Sequence, residues 1–354
     1  MTENKKNDKI FPEELLIEFP KDKYKWELYS CNNNNKVYII KNEENSKDVI
    51  YIKELYINNK EKDICNYKQI YKEIYFFIKL KNYNYFSKNV EFKLSKDKKF
   101  AFLKTWGDTV SLSKLINSKE YNYFENKSLL KHIVYQIVFG LYILHSNNII
   151  HHDIKPSNII INENGKISII DFGSAIFKGE ESIGSTLPYA APEFLINNKQ
   201  TVDEKYDIWS LGVILLQLYL KKNKFEKNMI KKSEDQLNYN LGKYCIKYKC
   251  SVEYLKKELI FNNNFYNDIK FKCNKNILHK IGDKDAIKLI YNLLSFNPKE
   301  RYSAKDILYK SEYLEEGREI DVIEIEPIDY PKDYDIITNN INHEKFIELL
   351  EKIK

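Results

Sequence analysis

Glycine is scarce in this chain and missing altogether from its opening stretch: the first of the ten glycines is Gly107. No Gly-x-Gly-x-x-Gly turn, which lays backbone N–H groups against a phosphate, can therefore exist before that point. Cysteine is sparse as well. The five, at 31, 65, 245, 250 and 273, are odd in number and fit neither a zinc-binding nor a disulfide spacing, which argues for a reducing compartment. No run approaches the roughly 20 apolar residues of a membrane span. The start, MTENKKNDKI, has no apolar stretch for a signal peptide, and Thr2 leaves no site for myristoylation. Long blocks of one charge are also absent. The net charge of +6 is dispersed over many Lys, Asp and Glu, as on a solvated surface rather than a nucleic-acid-binding face. These absences lead to the expectation of a monomeric protein, cytoplasmic with the nucleus also open to it, that engages neither membrane nor nucleic acid.

What is present is enough for a packed core. With 43% apolar and 31% charged residues, a chain of 354 residues can divide into two lobes. Residues 1–22 are charged and aperiodic apart from FPEELLIEF, an extension expected to rest on the body. Short β-type runs follow, WELYS, KVYIIK and DVIYIKEL, separated by Asn- and Glu-rich turns. Tyr67, Ile70, Ile74, Phe77 and Ile78 then recur at helical spacing, and NVEFKL and KFAFLKT are two further strand candidates. Beyond Gly107 the pattern turns helical. Leu130, Ile133, Val134, Ile137, Val138, Leu141 and Leu144 form one long apolar stripe, and further helices are expected near 207–220, 285–295 and 303–309. Strands first and helices afterwards predict an α+β architecture with a small β-rich lobe and a larger α-helical one. The tail, 316–354, is acidic and then amphipathic, with Phe346, Leu349, Leu350 and Ile353 on one helical face.

The chemistry concentrates in IIHHDIKPSNIIINENGKISIIDFGSA. Two strand-like runs, NIII and ISII, flank a hairpin turn at Asn164-Gly165. Asp153, Lys155 and Asn158 lie at the first run, and Asp171 closes the second. This block resembles the catalytic loop and the metal-binding Asp-Phe-Gly of the protein kinase family, and the chain is identified as a member of it over about residues 24–313. The resemblance implies a bilobal protein kinase-like fold: an extension at 1–23, an N-lobe at 24–106, a C-lobe at 107–315 and a tail at 316–354. It implies a phosphotransferase that uses ATP and Mg²⁺ to phosphorylate Ser or Thr hydroxyls of protein substrates.

The resemblance assigns roles residue by residue. Phosphoryl transfer needs alignment and charge neutralisation more than covalent help. Asp153 would orient the incoming hydroxyl and take its proton, and Lys155 would neutralise the phosphoryl group in transit. Asn158 and Asp171 would hold Mg²⁺ through hard oxygen ligands, and Gly173 would give the turn after Asp171 its freedom. Lys53, ending Val49-Ile50-Tyr51-Ile52, would anchor the ATP phosphates, with Glu73, 20 positions on (73 − 53), as its partner. Downstream, TLPYAAPE matches the end of the activation segment, with Thr186 typical of Ser/Thr specificity, as is Lys155. Glu193 is expected to pair with Arg301, and Asp207 of VDEKYDIWSLGVILL to cap the catalytic loop near His151.

Three departures stand out. Ser30, Asn32 and Asn35 occupy the places of the missing glycines; Asn tolerates left-handed backbone, so a tight hairpin at Cys31–Asn35 remains feasible, but side chains there limit approach to phosphate. His152 replaces the usual arginine beside the catalytic aspartate. Residues 222–284 carry no motif, and Cys245 and Cys250 read as unpaired thiols. The rival reading is a kinase-fold scaffold without turnover. A small-molecule kinase is disfavoured by the Ala-Pro-Glu and Asp-Ile-Trp-Ser-Leu-Gly segments, which resemble those of the protein kinases.

Overall fold

The computed structural model describes residues 11–31, 35–45, 47–57, 64–107, 109–118, 126–181, 186, 189–191, 193–194, 203–222, 282–295, 297–315, 325–337 and 341–353. Asn32 and its neighbours at the turn of the expected Cys31–Asn35 hairpin, Ser182 and Ser185 ahead of Thr186, the 223–281 stretch with Cys245, Cys250 and Cys273, and the acidic tail at 316–324 lie outside the described residues. The chain forms two compact units: residues 1–109, 162–164 and 329–354 make one, and 110–161 with 165–328 make the other.

The first unit is built on an antiparallel five-stranded sheet in the order β1-β2-β3-β5-β4. The strands are β1 (Tyr24–Cys31), β2 (Asn35–Asn42), β3 (Val49–Tyr56), β4 (Val90–Leu94) and β5 (Phe100–Trp106). Strand alternation sorts β3 into two faces. Ile50 and Ile52 join Tyr38, Ile40 and Phe102 in an apolar layer that also takes in Leu15 and Phe19. Those two come from the N-terminal extension, where α1 (Glu13–Glu18) begins after Pro12. The extension is tied down by polar contacts as well. The Trp26 indole N–H donates to the Phe19 carbonyl at 2.9 Å. Lys104, completely buried, is paired with Glu18 and lies 3.2 Å from Glu91, with its ammonium 5.5 Å from the Phe19 ring. Tyr51, Lys53 and Leu55 point to the opposite face. α2 (Ile64–Lys79) meets Lys53 there, and the same unit includes α8 (His343–Glu351) of the tail.

The chain passes between units within β6 (Thr109–Ser111). The second unit opens with α3 (Leu112–Asn117), whose first turn is capped by the Ser111 hydroxyl accepting from the Lys114 amide at 3.2 Å. The apolar stripe read from the sequence becomes α4 (Lys127–Ser146), with Leu130, Ile133, Val134, Ile137, Val138, Leu141 and Leu144 all buried. It is long and apolar enough to cross a membrane, yet most of it is enclosed in this unit's core. The remaining strands are β7 (Ile149–Ile150), β8 (Ile159–Asn162), β9 (Ile167–Ile169) and β10 (Ile176–Phe177). β8 and β9 form the hairpin foreseen at Asn164-Gly165, with Ile159 opposite Ile169 and Gly165 at φ 73°. Gln136 of α4 pins this hairpin, donating to the Gly165 carbonyl at 2.9 Å and accepting from the Ile167 amide at 3.1 Å. α5 (Lys205–Lys222) is the central buried helix, followed by α6 (Lys284–Leu293) and α7 (Ala304–Lys310). Gly212 of α5 sits so close to α6 that a Cβ there would lie 2.8 Å from the Leu293 Cβ, so the helix crossing requires a glycine.

Candidate active site

The second unit carries a loop, His151–Asn158, whose shape is fixed from beneath. Asp207, in the first turn of α5, is fully buried and accepts from the backbone amides of His151 at 2.8 Å and His152 at 2.9 Å. His145 adds a contact at 3.0 Å. Burial opposes ionisation of Asp207, but hydrogen bonds from His145 and the loop amide and the neighbouring imidazoles outweigh it and hold the carboxyl below its ordinary pKa. A carboxyl group favoured in its charged form thus anchors the loop, and it helps hold His152 at φ 63°, a left-handed conformation that side chains ordinarily avoid.

Above that anchor the loop's polar side chains converge. Asp153 Oδ2 accepts from Lys155 Nζ at 2.5 Å and from Asn158 Nδ2 at 3.1 Å. Asn158 Nδ2 also donates to the Asp153 carbonyl at 2.9 Å. Thr186 completes the cluster: its hydroxyl donates to Asp153 Oδ1 at 2.6 Å and accepts from Lys155 Nζ at 2.9 Å. With its amide nitrogen bonded to Asp153, Asn158 has its oxygen left to meet a cation. Asp171 follows one residue after Ile170, whose amide donates to the Asn158 carbonyl at 3.0 Å and whose own carbonyl lies 3.1 Å from His151 Nε2. The segment bearing Asp171 is thereby stitched to the loop bearing Asn158. Asp171 itself is left-handed, with φ 68° and ψ 77°, and Gly173 is not among the positive-φ residues. The turn expected to depend on Gly173 instead takes its unusual backbone at the aspartate.

In the first unit, Lys53 Nζ and the Glu73 carboxylate form a close ion pair, both largely shielded from water. Strand register sets the starting point of this pair. Lys53 stands opposite Val37 on β2 and Leu103 on β5, in the middle of the sheet. β1 and β2 continue as a ladder to Ser30↔Val37 and Cys31↔Lys36, so the strands approach their glycine-free connection paired.

The family model for the protein kinase domain matches residues 33–314, well over half of the chain. The chain belongs to the protein kinase family. Among its relatives, the mitogen-activated protein kinase HOG1 of Saccharomyces cerevisiae is 31% identical over 196 residues, covering 51% of this chain and 41% of that protein. The same kinase of Cryphonectria parasitica is 30% identical over 202 residues, 53% of this chain and 52% of the relative. That of Candida albicans is 40% identical over 109 residues, 30% and 28% respectively. The chain thus spans about half or less of the length of the curated relatives it matches.

Other features of this kinase domain follow from the same residues. Arg301, buried, makes a two-pronged bond to Glu193, Nη1 to Oε1 and Nη2 to Oε2 at 2.7 Å each, and lies 5.1 Å over the Trp209 ring. The expected pairing of Glu193 with Arg301 is thus present, with the Glu193 side chain mostly shielded from water. The ring of His152 stacks on Tyr206 at 4.2 Å and meets Phe194 edge-on at 5.3 Å. Sequence reasoning placed His152 but not its aromatic box, because Phe194 and Tyr206 are distant in the chain. Thr186 was read as a mark of specificity; its hydrogen bonds to Asp153 and Lys155 had no local signal.

Proposed function

We propose that this protein is a serine/threonine kinase that transfers the γ-phosphate of ATP to Ser or Thr hydroxyls of other proteins with Mg²⁺ as the assisting ion. The observation that carries the reading is the Asp153–Lys155–Asn158–Thr186 cluster. A carboxylate held on both oxygens by neighbours on a capped loop is oriented in advance, as hydroxyl activation requires. Asp153 receives the proton as the hydroxyl oxygen bonds to phosphorus and the bond to the ADP oxygen breaks. Lys155 neutralises charge on the moving group. Asn158 and Asp171 offer the hard oxygen donors that suit Mg²⁺, and their two segments are hydrogen-bonded together. When bound, that ion neutralises phosphate charge. Lys53, kept in place by Glu73, anchors the phosphates of ATP.

A second reading, a kinase-fold scaffold, is favoured by the glycine-free β1–β2 connection. Purified protein incubated with labelled ATP-Mg and a generic basic protein separates the two. Asp153→Asn should nearly abolish turnover, by about 10²-fold or more, while nucleotide binding stays intact; Asp171→Asn should weaken Mg-dependent binding too. Turnover in Asp153→Asn close to that of the unaltered protein would remove this mechanism.

A further inference from the structure

The face of the sheet that carries Lys53 is not bare around it. Strand alternation puts Tyr51, Lys53 and Leu55 on that face of β3, with neighbouring side chains roughly 7 Å apart. Leu55 is 1% exposed, whereas Tyr51 and Lys53 are both partly open to solvent. Cross-strand pairing adds Val37 and Ile39 from β2 and Leu103 and Thr105 from β5 to the same face, with Ile39 and Thr105 directly opposite Tyr51. The Tyr51 hydroxyl donates to the Thr109 carbonyl at 2.9 Å. Thr109 lies three residues (109 − 106) past the end of β5, on the segment by which the chain leaves the sheet. That segment is itself tied to β3, where the Gly107 amide donates to the Val49 carbonyl at 2.9 Å. The phenol is therefore held at both ends, by its own strand and by the exit segment.

This arrangement bears on the nucleotide, and it rests on the reading above that Lys53 anchors the phosphates. A nucleotide is longer than the spacing of two side chains on a strand, so its base must extend past Lys53 along the same face. Toward Leu55 that face is closed by burial. Toward Tyr51 it is partly open, and there the base meets a phenol ring instead of bare strand. An aromatic ring in contact with the sheet fills a layer about 3.5 Å deep, the thickness of a purine itself. An untethered side chain could rotate aside; this one must give up its hydrogen bond to Thr109 to do so. We propose that Tyr51 is a specificity-determining residue that fills the layer a purine base would take, so that the base adds little affinity. The substrate class is then Mg-nucleoside triphosphates with little discrimination between purine and pyrimidine.

The test measures the affinity of the full chain for ATP-Mg, UTP-Mg, adenosine and inorganic tripolyphosphate with Mg²⁺. The unaltered protein should bind ATP-Mg and UTP-Mg within about threefold of each other. Tyr51→Ala should tighten ATP-Mg and adenosine by about tenfold, tighten UTP-Mg by less, and leave tripolyphosphate unchanged, because the gain is made at the base and not at Lys53. Tyr51→Val keeps a strand-forming residue without the ring; it should give smaller gains in the same order, and it decides the matter if the alanine variant folds poorly. Tyr51→Phe releases the ring from Thr109 and should gain less than either. A loss of adenosine affinity in Tyr51→Ala would show that the ring is a platform for the base, and would overturn the proposal. Unchanged adenosine affinity in a folded variant overturns it too, as does an equal change for tripolyphosphate. Turnover on a generic basic protein is read separately. Gain at the base without turnover in either protein sinks the kinase reading and leaves the role of Tyr51 standing.

Discussion

His152 stands directly before Asp153, where an arginine would offer a permanent charge and a bidentate fork to a phosphorylated activation segment. An imidazole, with an ordinary pKa near 6.5, is a weaker and pH-dependent anchor for phosphate. Here the ring is completely buried, stacked on Tyr206 and bordered by Phe194, and its backbone amide is bonded to Asp207. Packing thus occupies the place where charge would otherwise act. The expected outcome is activity without phosphate on the activation segment. Protein stripped by phosphatase, with the unmodified segment verified by mass spectrometry, should keep its rate. A loss of more than about tenfold, or about 1.4 kcal/mol of barrier, would show that the phosphate matters. Residue Lys53 carries a second expectation. With glycine missing from the β1–β2 connection, ATP and adenosine should bind within about 1–2 kcal/mol of each other without Mg²⁺. Lys53→Ala should erase most of that difference; titration calorimetry that finds a strong phosphate dependence persisting in this variant would contradict it.

Among the elements, α7 offers the cleanest electrostatic test. Ser303 caps it, its hydroxyl accepting from the Asp306 amide at 3.0 Å while the Asp306 carboxylate accepts from the Ser303 amide at 3.0 Å. Partial burial pushes the Asp306 carboxyl up, but hydrogen bonds from Lys310 and Ser303 outweigh it and hold the group at about 2, against an ordinary 3.8. A carboxyl lowered on folding lends stability that is complete above its unfolded pKa and is lost as pH falls through the folded one. Stability from this cap should therefore decline from about pH 4 down to about pH 2. Asp306→Asn should flatten that part of a urea-midpoint profile, and Ser303→Ala should cost about 1 kcal/mol at neutral pH. A profile unchanged by Asp306→Asn would contradict the assignment.

The same scale shows what the sequence could convey. Short β-type runs marked the five strands, the apolar stripe marked α4, and Asn164-Gly165 marked the β8–β9 hairpin, because each signal is local. α1 is only six residues long and has no side-chain cap, so periodicity could not separate it from the charged extension around it. The amphipathic face of α8 was legible, but its target was not: Tyr67 and Phe346 are far apart in the chain, and their stacking leaves no trace in either neighbourhood. Lys53 and Glu73 were recoverable because strand and helix each have a period and the resemblance supplied the pairing. The left-handed backbone at Asp171 was not, since the neighbouring Gly173 drew the expectation to itself.

At the scale of the whole molecule, the boundaries of the family and the boundaries of folding do not coincide. The family match begins at residue 33 and ends at 314, yet the first unit's core draws Leu15 and Phe19 from before it and Phe346 and Leu350 from after it. Lys104 makes the point sharply. Its ammonium is sealed inside the sheet layer against Glu18, with Glu91 3.2 Å away, so the extension supplies one of the two carboxylates that hold it. A shortened protein starting at Tyr24 should therefore melt lower than the full chain and aggregate on warming, because it bares an apolar sheet face and leaves Lys104 with Glu91 alone. In the full chain, Lys104→Met should leave Glu18 without its buried partner and bring no gain in melting temperature. Anyone trimming this protein to the portion its family model recognises would be cutting through its foundations, and poor recovery of such a fragment would reflect the cut rather than any weakness of the protein.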